Sequence, residues 1–187
     1  MPILIIPFFA SLICGVLMFT VLGTPIAYFM DAMTQFLANL STGSKFVYGF
    51  VMSAGSAFDF GGPVNKTVSL YTTAMLADGI YGPKACHMVA CMIPPMGVLI
   101  AWGLSKLFRK PIYTNDEKEN LKACFPMGVC MITECVIPLA MNDLWRVVLS
   151  SVLGGSIAGG LCMMWGVESP VAHGGWFVIP TFTNPLG

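Results

Sequence analysis

The sequence predicts an all-α integral membrane protein, with several membrane-spanning helices and re-entrant hairpins between them. Of its 187 residues, 56% are hydrophobic and only 10% are charged, and the mean hydropathy is +0.79. A soluble domain usually carries about 25% charged residues, so an apolar core alone does not explain the deficit. Glycines, prolines and ionisable residues interrupt several apolar stretches. Such breaks occur at membrane depth only where protein or water satisfies the backbone.

Charge and cysteine content exclude several classes of function. The nine basic and nine acidic residues cancel, so the chain lacks the positive field that attracts nucleic acid. The seven cysteines contain no C-x-x-C pair, which argues against a disulfide framework. Cys86, His87 and Cys91 lack the ligand spacing of a zinc site. We therefore expect no nucleic-acid partner, no metal and no cofactor.

The chain begins with a predicted spanning helix at residues 2–22. About 20 apolar residues at about 1.5 Å per residue cross roughly 30 Å of hydrocarbon, and the run lacks the basic start of a signal peptide. Residues 26–40 then carry apolar side chains at helical spacing, with Asp31, Gln35 and Asn39 on the other side. This pattern predicts an interfacial amphipathic helix, or else one face of a tilted span.

Two short apolar segments follow, near residues 46–60 and 68–82, and a polar stretch from Asp59 to Lys66 separates them. Two glycines and a proline in that stretch cannot continue a helix without a large cost in free energy. We expect either a discontinuous helix or a break that lines a cavity. In a simpler interpretation, Asp59 and Lys66 only form an ion pair at the membrane edge.

Residues 85–105 predict another span, which Pro94 and Pro95 should kink. The segment that follows, 106–122, contains five of the nine basic residues, namely Lys106, Arg109, Lys110, Lys118 and Lys122. By the positive-inside rule we expect this segment to be a cytoplasmic loop.

Residues 123–142 are mostly apolar but carry Glu134 near their middle. A charge at that depth costs about 2.5–3.5 kcal/mol on insertion scales, and no basic residue lies close to it in sequence. We therefore expect a re-entrant hairpin with Glu134 near its tip. Residues 147–167 predict a span whose paired glycines allow another helix to approach closely, and residues 169–187 predict a second re-entrant segment.

Ionisable groups inside apolar sequence indicate a functional site, because a purely structural helix does not need them. We expect three groups of polar residues to converge in space: Asp59 to Lys66, Glu134 with Asp143 and Arg146, and the segment with His173. Carboxylate, amide and imidazole side chains are typical ligands of sugar hydroxyls. In simpler interpretations, Asp143 and Arg146 form only a local ion pair at a helix start, and His173 only packs against its neighbours. The candidate substrate-binding residues are Asp59, Asn65, Lys66, Glu134, Asp143, Arg146 and His173.

At these residues the sequence resembles the membrane component, EIIC, of the fructose and mannosylglycerate branch of the bacterial phosphotransferase system (PTS). Family permeases are longer, so we expect this chain to be the C-terminal part of an EIIC domain. The chain departs from the family pattern at Cys135, Leu144 and Ala172, where Gly, Pro and Pro are common. Five motifs occur in the family's order: FDFGGPVNK at 58–66, YGPKA at 81–85, ITECVIP at 132–138, NDLWRV at 142–147 and AHGGWFVIP at 172–180.

The resemblance implies group translocation of a fructose-like or mannosylglycerate-like sugar. The sugar binds in an occluded pocket, moves toward the cytoplasm and receives a phosphoryl group from a phosphocysteine of EIIB, which lies downstream of an EIIA histidine. Glu134 is expected to bind hydroxyls and to assist proton removal, with His173 and Asn65 as further ligands and Arg146 near the incoming phosphate. The phosphocarrier residues belong to EIIB and EIIA, so none of the seven cysteines is assigned as one.

The resemblance also implies a multi-pass homodimer in the lipid bilayer of the bacterial inner membrane. Two alternatives stay open at this point. An ion- or proton-coupled secondary transporter also uses broken helices and midplane carboxylates. A truncated, inactive permease would insert its spans without transporting anything.

Overall fold

The computed structural model describes residues 2–25, 27–28, 31–32, 35 and 44–183. In these ranges the chain forms helices and no strands, so the predicted all-α class is confirmed. The predicted amphipathic helix at 26–40 lies mostly outside the described residues. Two of the helices are long and apolar enough to cross a membrane.

The first helix, α1, comprises Pro2–Leu17 and continues as a π-helical turn over Met18–Leu22. Together they cover the first predicted span. This segment contacts no other described element. Phe8 and Phe9 on its surface are more than half exposed, as suits a helix surrounded by lipid.

Helices α2 (Lys45–Phe58) and α3 (Pro63–Ala77) form an antiparallel pair that we call hairpin 1. The Tyr48 hydroxyl near the start of α2 lies 3.4 Å from the Tyr71 hydroxyl near the end of α3. At 14 and 15 residues, each helix is about 21–22 Å long and shorter than a full crossing. The break predicted between the two segments is therefore a reversal of the chain.

The reversal follows from backbone conformations that no helix can contain. Phe60 and Gly61 have φ values of 49° and 102°, and Pro63 is well suited to the first turn of α3. As a result α3 begins at Pro63, earlier than the predicted segment 68–82, and it ends before Asp78.

The two long apolar helices are α4 (Gly82–Leu107) and α7 (Leu144–Met164). Two shorter helices, α5 and α6, lie between them in the chain and are described below. Helix α2 packs against both α4 and α7. The contact with α7 is close because small residues face each other. A Cβ atom on Gly155 would lie 2.8 Å from the Cβ of Ala57, and one on Gly159 would collide with the Ser53 hydroxyl.

Helices α5 (Asn115–Val129) and α6 (Ile137–Asn142), with a 3-10 turn at Glu134–Val136 between them, form hairpin 2. The Asn142 amide at the end of α6 donates to the Glu117 carboxylate at the start of α5, at 2.8 Å. This bond closes the base of hairpin 2. The chain thus turns near Glu134, in a helical hairpin that begins before residue 123; that this hairpin re-enters the membrane stays a prediction.

The polar segment 106–122, predicted as a loop, is helical from Asn115 onward. Thr114 and Glu117 form a capping box in which each side chain bonds the other residue's backbone N–H. This arrangement stabilises a helix start even where the apolar periodicity is weak. The connection between α4 and α5 is therefore limited to residues 108–114.

After α7 the chain returns across α4 and the end of α5. The Ser169 amide donates to the Tyr81 carbonyl at 3.4 Å, and Gly175 begins a 3-10 turn that ends at Thr181. Gly175 has φ of 58°, and any Cβ there would collide with the Val129 carbonyl. In its described part, 169–183, the predicted second re-entrant segment contains this single turn.

Candidate functional site

The tips of both hairpins, one face of α4 and the segment after α7 enclose a cavity of about 320 Å³. Small-molecule sites begin at about this volume. Four of the seven candidate residues line it together: Asn65, Lys66, Glu134 and His173. They come from three separate parts of the chain, so the predicted convergence holds for these four. The remaining lining residues are Gly61, Ser69, His87, Cys91, Met131, Ile132 and Thr133.

Glu134 lies at the tip of hairpin 2, where Met131 turns the chain with φ of 67°. Its carboxylate reaches the backbone of Gly61 at the tip of hairpin 1. Among the described residues Glu134 forms no ion pair. Its oxygens are therefore available to accept hydrogen bonds from a ligand.

Asn65 lies in the first turn of α3 and is 5% exposed. Its amide nitrogen donates to the Ser56 carbonyl of α2 and to the Cys91 sulfur of α4, the second at 3.3 Å. Both amide protons are thereby used. The Oδ1 oxygen forms no hydrogen bond with the described residues, so the side chain offers the cavity an acceptor.

Lys66 and His173 supply the other polar groups of the lining. Lys66 is exposed, and no carboxylate in the described ranges lies within ion-pair distance of it. Asp59 and Lys66 therefore do not form the ion pair considered above. His173 lies in the segment after α7, is exposed and lines the cavity.

Asp59 lies outside the cavity, at the start of α3. Its two carboxylate oxygens accept from the backbone N–H groups of Val64, at 2.7 Å, and Asn65, at 3.1 Å. These bonds satisfy helix N–H groups that have no partner within the helix. Asp59 thus holds the reversal of hairpin 1 in shape, which positions Asn65.

Asp143 and Arg146 also lie away from the cavity lining. Their side chains form an ion pair at 3.1 Å, with 44% of the Asp143 side chain and 88% of the Arg146 side chain exposed. Asp143 also accepts from the Arg146 N–H at the start of α7. The geometry matches the simpler interpretation of a local pair at a helix start.

Sequence reasoning missed His87 and Cys91 as lining residues. They lie four positions apart and hence on one face of α4, and this spacing was the signal that could have placed both at one site. His87 is 1% exposed, and its Nδ1 atom lies 2.9 Å from the Ser56 hydroxyl. Within the described ranges no group of three His, Cys, Asp or Glu side chains could hold a metal ion.

The cavity combines acceptors with a cation, and its lining contains no Phe, Tyr or Trp side chain. Glu134 and Asn65 accept, Lys66 donates, and His173 can do either. A ligand that matches this set must donate several hydrogen bonds and remain small and polar. A polyhydroxylated molecule such as a sugar meets these requirements, because each hydroxyl both donates and accepts.

Several known proteins are similar to this chain over nearly its whole length. The fructose-specific PTS EIIB'BC component of Vibrio cholerae is 40% identical over 187 residues. The fructose-specific EIIABC component of Bacillus subtilis and the fructose permease IIC component of Bacillus amyloliquefaciens are each 38% identical over 185 residues. Each alignment covers 99% of this chain. The resemblance to EIIC components is confirmed.

The chain spans only part of these EIIC-containing relatives: 32% of the Vibrio cholerae protein, 28% of the Bacillus subtilis protein and 59% of the Bacillus amyloliquefaciens protein. Two of the three names combine EIIC with EIIB or EIIA in one chain. No protein-family model matches the chain, and no solved structure matches it.

Proposed function

We propose that this chain is the sugar-binding and sugar-translocating part of a PTS carbohydrate permease. One observation carries the proposal. The cavity between the two hairpin tips brings together Asn65, Lys66, Glu134 and His173, in a chain whose relatives are named fructose-specific EIIC components. These names favour a fructose-like substrate over a mannosylglycerate-like one.

In the proposed complex, Glu134 and Asn65 accept hydrogen bonds from sugar hydroxyls. His173 provides a further contact to the sugar. Lys66 donates to a hydroxyl or to the incoming phosphoryl group. Asp59 contributes indirectly, because it fixes the start of α3. We assign no sugar contact to Asp143 or Arg146, since their ion pair lies outside the cavity.

The proposed reaction transfers a phosphoryl group from the EIIB cysteine to the sugar. The sugar hydroxyl oxygen attacks phosphorus, the phosphorus–sulfur bond breaks, and the cysteine leaves as a thiolate. The hydroxyl proton passes to the Glu134 carboxylate, which acts as general base. Lys66 offsets negative charge on the transferring group. This chain provides the acceptor side, and EIIB and EIIA provide the phosphoryl group.

We propose that the protein lies in the bacterial inner membrane as a multi-pass homodimer. Helices α4 and α7 have the length and hydropathy of spans. The basic residues between Lys106 and Lys122 support a cytoplasmic position for the connection between α4 and α5. The base of hairpin 2, where Glu117 bonds Asn142, lies on that side as well.

The test is phosphorylation of fructose by phosphorylated EIIB in membranes that contain the complete permease. We expect Glu134→Gln to lower the rate by about 100-fold or more, because general base catalysis contributes about 10²–10⁴-fold. Glu119→Gln is the matched control. Glu119 lies on α5 and pairs with Lys122 on the exposed surface, so its removal should leave the rate unchanged.

A wild-type rate for Glu134→Gln would contradict the site assignment. Sugar uptake that needs a proton gradient and no phosphorylated EIIB would instead support a proton-coupled transporter, which could use the same unpaired carboxylate for coupling. Mannosylglycerate assayed in parallel decides between the two substrate classes.

A further inference from the structure

His87 is a buried side chain of the cavity lining to which the proposed reaction assigns no role. It lies in α4, is 1% exposed and lines the cavity with Asn65 and Glu134. A buried imidazole in an apolar helix normally has both ring nitrogens satisfied by hydrogen bonds. The partners of His87 therefore define what it can offer a ligand.

The first partner, Ser56, fixes which ring nitrogen carries the proton. The Ser56 hydroxyl donates to the Met52 carbonyl at 3.0 Å, and it has only one proton to donate. With that bond made, we assign the Ser56 oxygen, 2.9 Å from His87 Nδ1, as the acceptor. This assignment puts the proton on Nδ1 and leaves a lone pair on Nε2.

The Nε2 atom has no strong partner in the described part of the chain. The Cys91 sulfur lies 3.9 Å from both Nε2 and Nδ1, and a thiol is a weak donor. Cys91 already accepts from the Asn65 amide. The lone pair of Nε2 is thus left for a group that enters the cavity.

Ser56 also determines the orientation of Asn65. Its backbone carbonyl accepts from the Asn65 amide nitrogen, which leaves Asn65 Oδ1 as the free end of that side chain. One residue of α2 therefore orients two acceptors on two different helices. Both acceptors belong to side chains that line the same cavity.

We propose that His87 is a substrate-binding residue whose Nε2 atom accepts a hydrogen bond from one sugar hydroxyl, next to the acceptor that Asn65 provides. The inference rests on the proposed function and extends it. His87 and Asn65 form a pair of acceptors that select for a ligand with two donating hydroxyls. A sugar that lacks the hydroxyl facing Nε2 loses affinity at this one contact.

The test is equilibrium binding of fructose, and of analogues that each lack one hydroxyl, to the complete permease in lipid nanodiscs. Two variants separate the nitrogens. His87→Asn keeps a polar group near the Nδ1 position but provides none at Nε2, whereas His87→Gln extends a polar group to the Nε2 position. We expect about tenfold weaker fructose binding for His87→Asn and at most about threefold for His87→Gln, as for loss or retention of one hydrogen bond.

The analogues distinguish a contact from a structural role. Wild-type protein should bind one analogue about tenfold more weakly than fructose, and His87→Asn should bind that analogue and fructose equally. If His87→Asn weakens the binding of fructose and every analogue by the same factor, His87 is structural and the inference fails.

The serine that orients His87 offers a second test with a matched control. Ser56→Ala frees the imidazole to change tautomer, so fructose affinity should fall about two- to threefold. Ser156→Ala is the control, because Ser156 is fully buried on α7 and its hydroxyl has no partner in the described ranges. Affinity should not change in that variant.

The outcomes also separate this inference from the proposed function. If wild-type protein binds fructose in a Glu134-dependent manner and both His87 variants bind like wild type, only the role of His87 is refuted. If wild-type protein binds neither fructose nor any analogue, the proposed function fails and the role of His87 fails with it.

Discussion

Gly61 and Glu134 bring the tips of the two hairpins into contact. A Cβ atom on Gly61 would lie 2.7 Å from Oε1 of Glu134, which is closer than non-bonded atoms approach. Gly61 also has φ of 102°, a conformation that favours glycine. The carboxylate of hairpin 2 therefore rests against bare backbone of hairpin 1. Any side chain at position 61 would have to displace the Glu134 carboxylate.

A methyl group at this contact should damage the site. We expect Gly61→Ala to weaken fructose binding at least about tenfold, and to destabilise the fold by about 1–3 kcal/mol because of its positive φ. Binding and thermal unfolding in nanodiscs measure the two effects. Gly97→Ala is the control, since a Cβ atom there meets nothing within 4 Å. Unchanged binding by Gly61→Ala would show that the tips do not shape the site.

The start of α3 depends on the Asp59 carboxylate. Removing it leaves the Val64 and Asn65 N–H groups without their acceptor, so Asp59→Ala should cost about 0.5–2 kcal/mol of stability. Fructose affinity should fall too, because Asn65 moves with the first turn of α3. Asp78→Ala, at the other end of α3, serves as control. A variant with wild-type stability would mean that the turn forms without this cap.

The contact between α2 and α7 should not tolerate a larger residue. A Cβ atom on Gly159 would overlap the Ser53 side chain, so Gly159→Ala should destabilise the protein by about 1–3 kcal/mol, as overpacking does. Adding Ser53→Gly removes the atoms in the way and should restore part of the stability. Thermal unfolding of the single and double variants measures this coupling. Additive effects would contradict the observed packing.

Hairpin 2 should lose stability in acid through Glu117. The Asn142 amide, followed by the Thr114 backbone N–H, lowers the pKa of Glu117 below its ordinary 4.5. A lowered folded-state pKa contributes stability above the unfolded-state pKa, and this contribution is lost as the pH falls through the folded-state value. Solvent screening limits it to less than about 1 kcal/mol, since Glu117 is partly exposed.

Unfolding measured between about pH 3 and pH 7 should therefore show Asn142→Ala to be less stable than wild type at neutral pH. The difference should shrink in acid, where Glu117 is protonated in both proteins. Asn120→Ala, on the exposed surface of the same helix, should show no such pH dependence. A difference that stays constant across this range would exclude the Glu117 carboxylate as its cause.

The pair formed by Asp143 and Arg146 should contribute little to binding. Arg146→Ala removes a largely exposed ion pair outside the cavity, so fructose affinity should stay within about twofold of wild type. Lys66→Ala is the informative comparison, because Lys66 lines the cavity and should matter more. A larger effect from Arg146 than from Lys66 would place the substrate elsewhere.

The turn in hairpin 2 could be predicted from the sequence, because one isolated carboxylate in an apolar segment argues against an ordinary crossing. Hairpin 1 was harder. Its short length and its glycines indicated a break, but only the φ values of Phe60 and Gly61 decide that the chain reverses. The contact between Tyr48 and Tyr71 that records this reversal joins residues far apart in sequence.

The site residues also differ in whether the neighbouring sequence could indicate them. Asn65, Glu134 and His173 could be found because each stands beside glycines or prolines that mark a break in the apolar sequence. His87 lies within a continuous apolar helix, and its partner Ser56 is 31 positions away. The four-residue spacing of His87 and Cys91 indicates a shared face of α4, but the role of His87 depends on the element that packs against that face.

The close packing of α2 on α7 limits how this protein can move. Backbone meets backbone there: a Cβ atom on Gly49 would lie 2.5 Å from the Gly159 carbonyl oxygen. Glycines and small side chains such as Ser53 and Ala57 fill this contact, which leaves little room for the two helices to slide past each other. We therefore expect α2 and α7 to move together. In the proposed transport cycle, access to the cavity then changes by displacement of this pair relative to its surroundings, and not by rocking between these two helices.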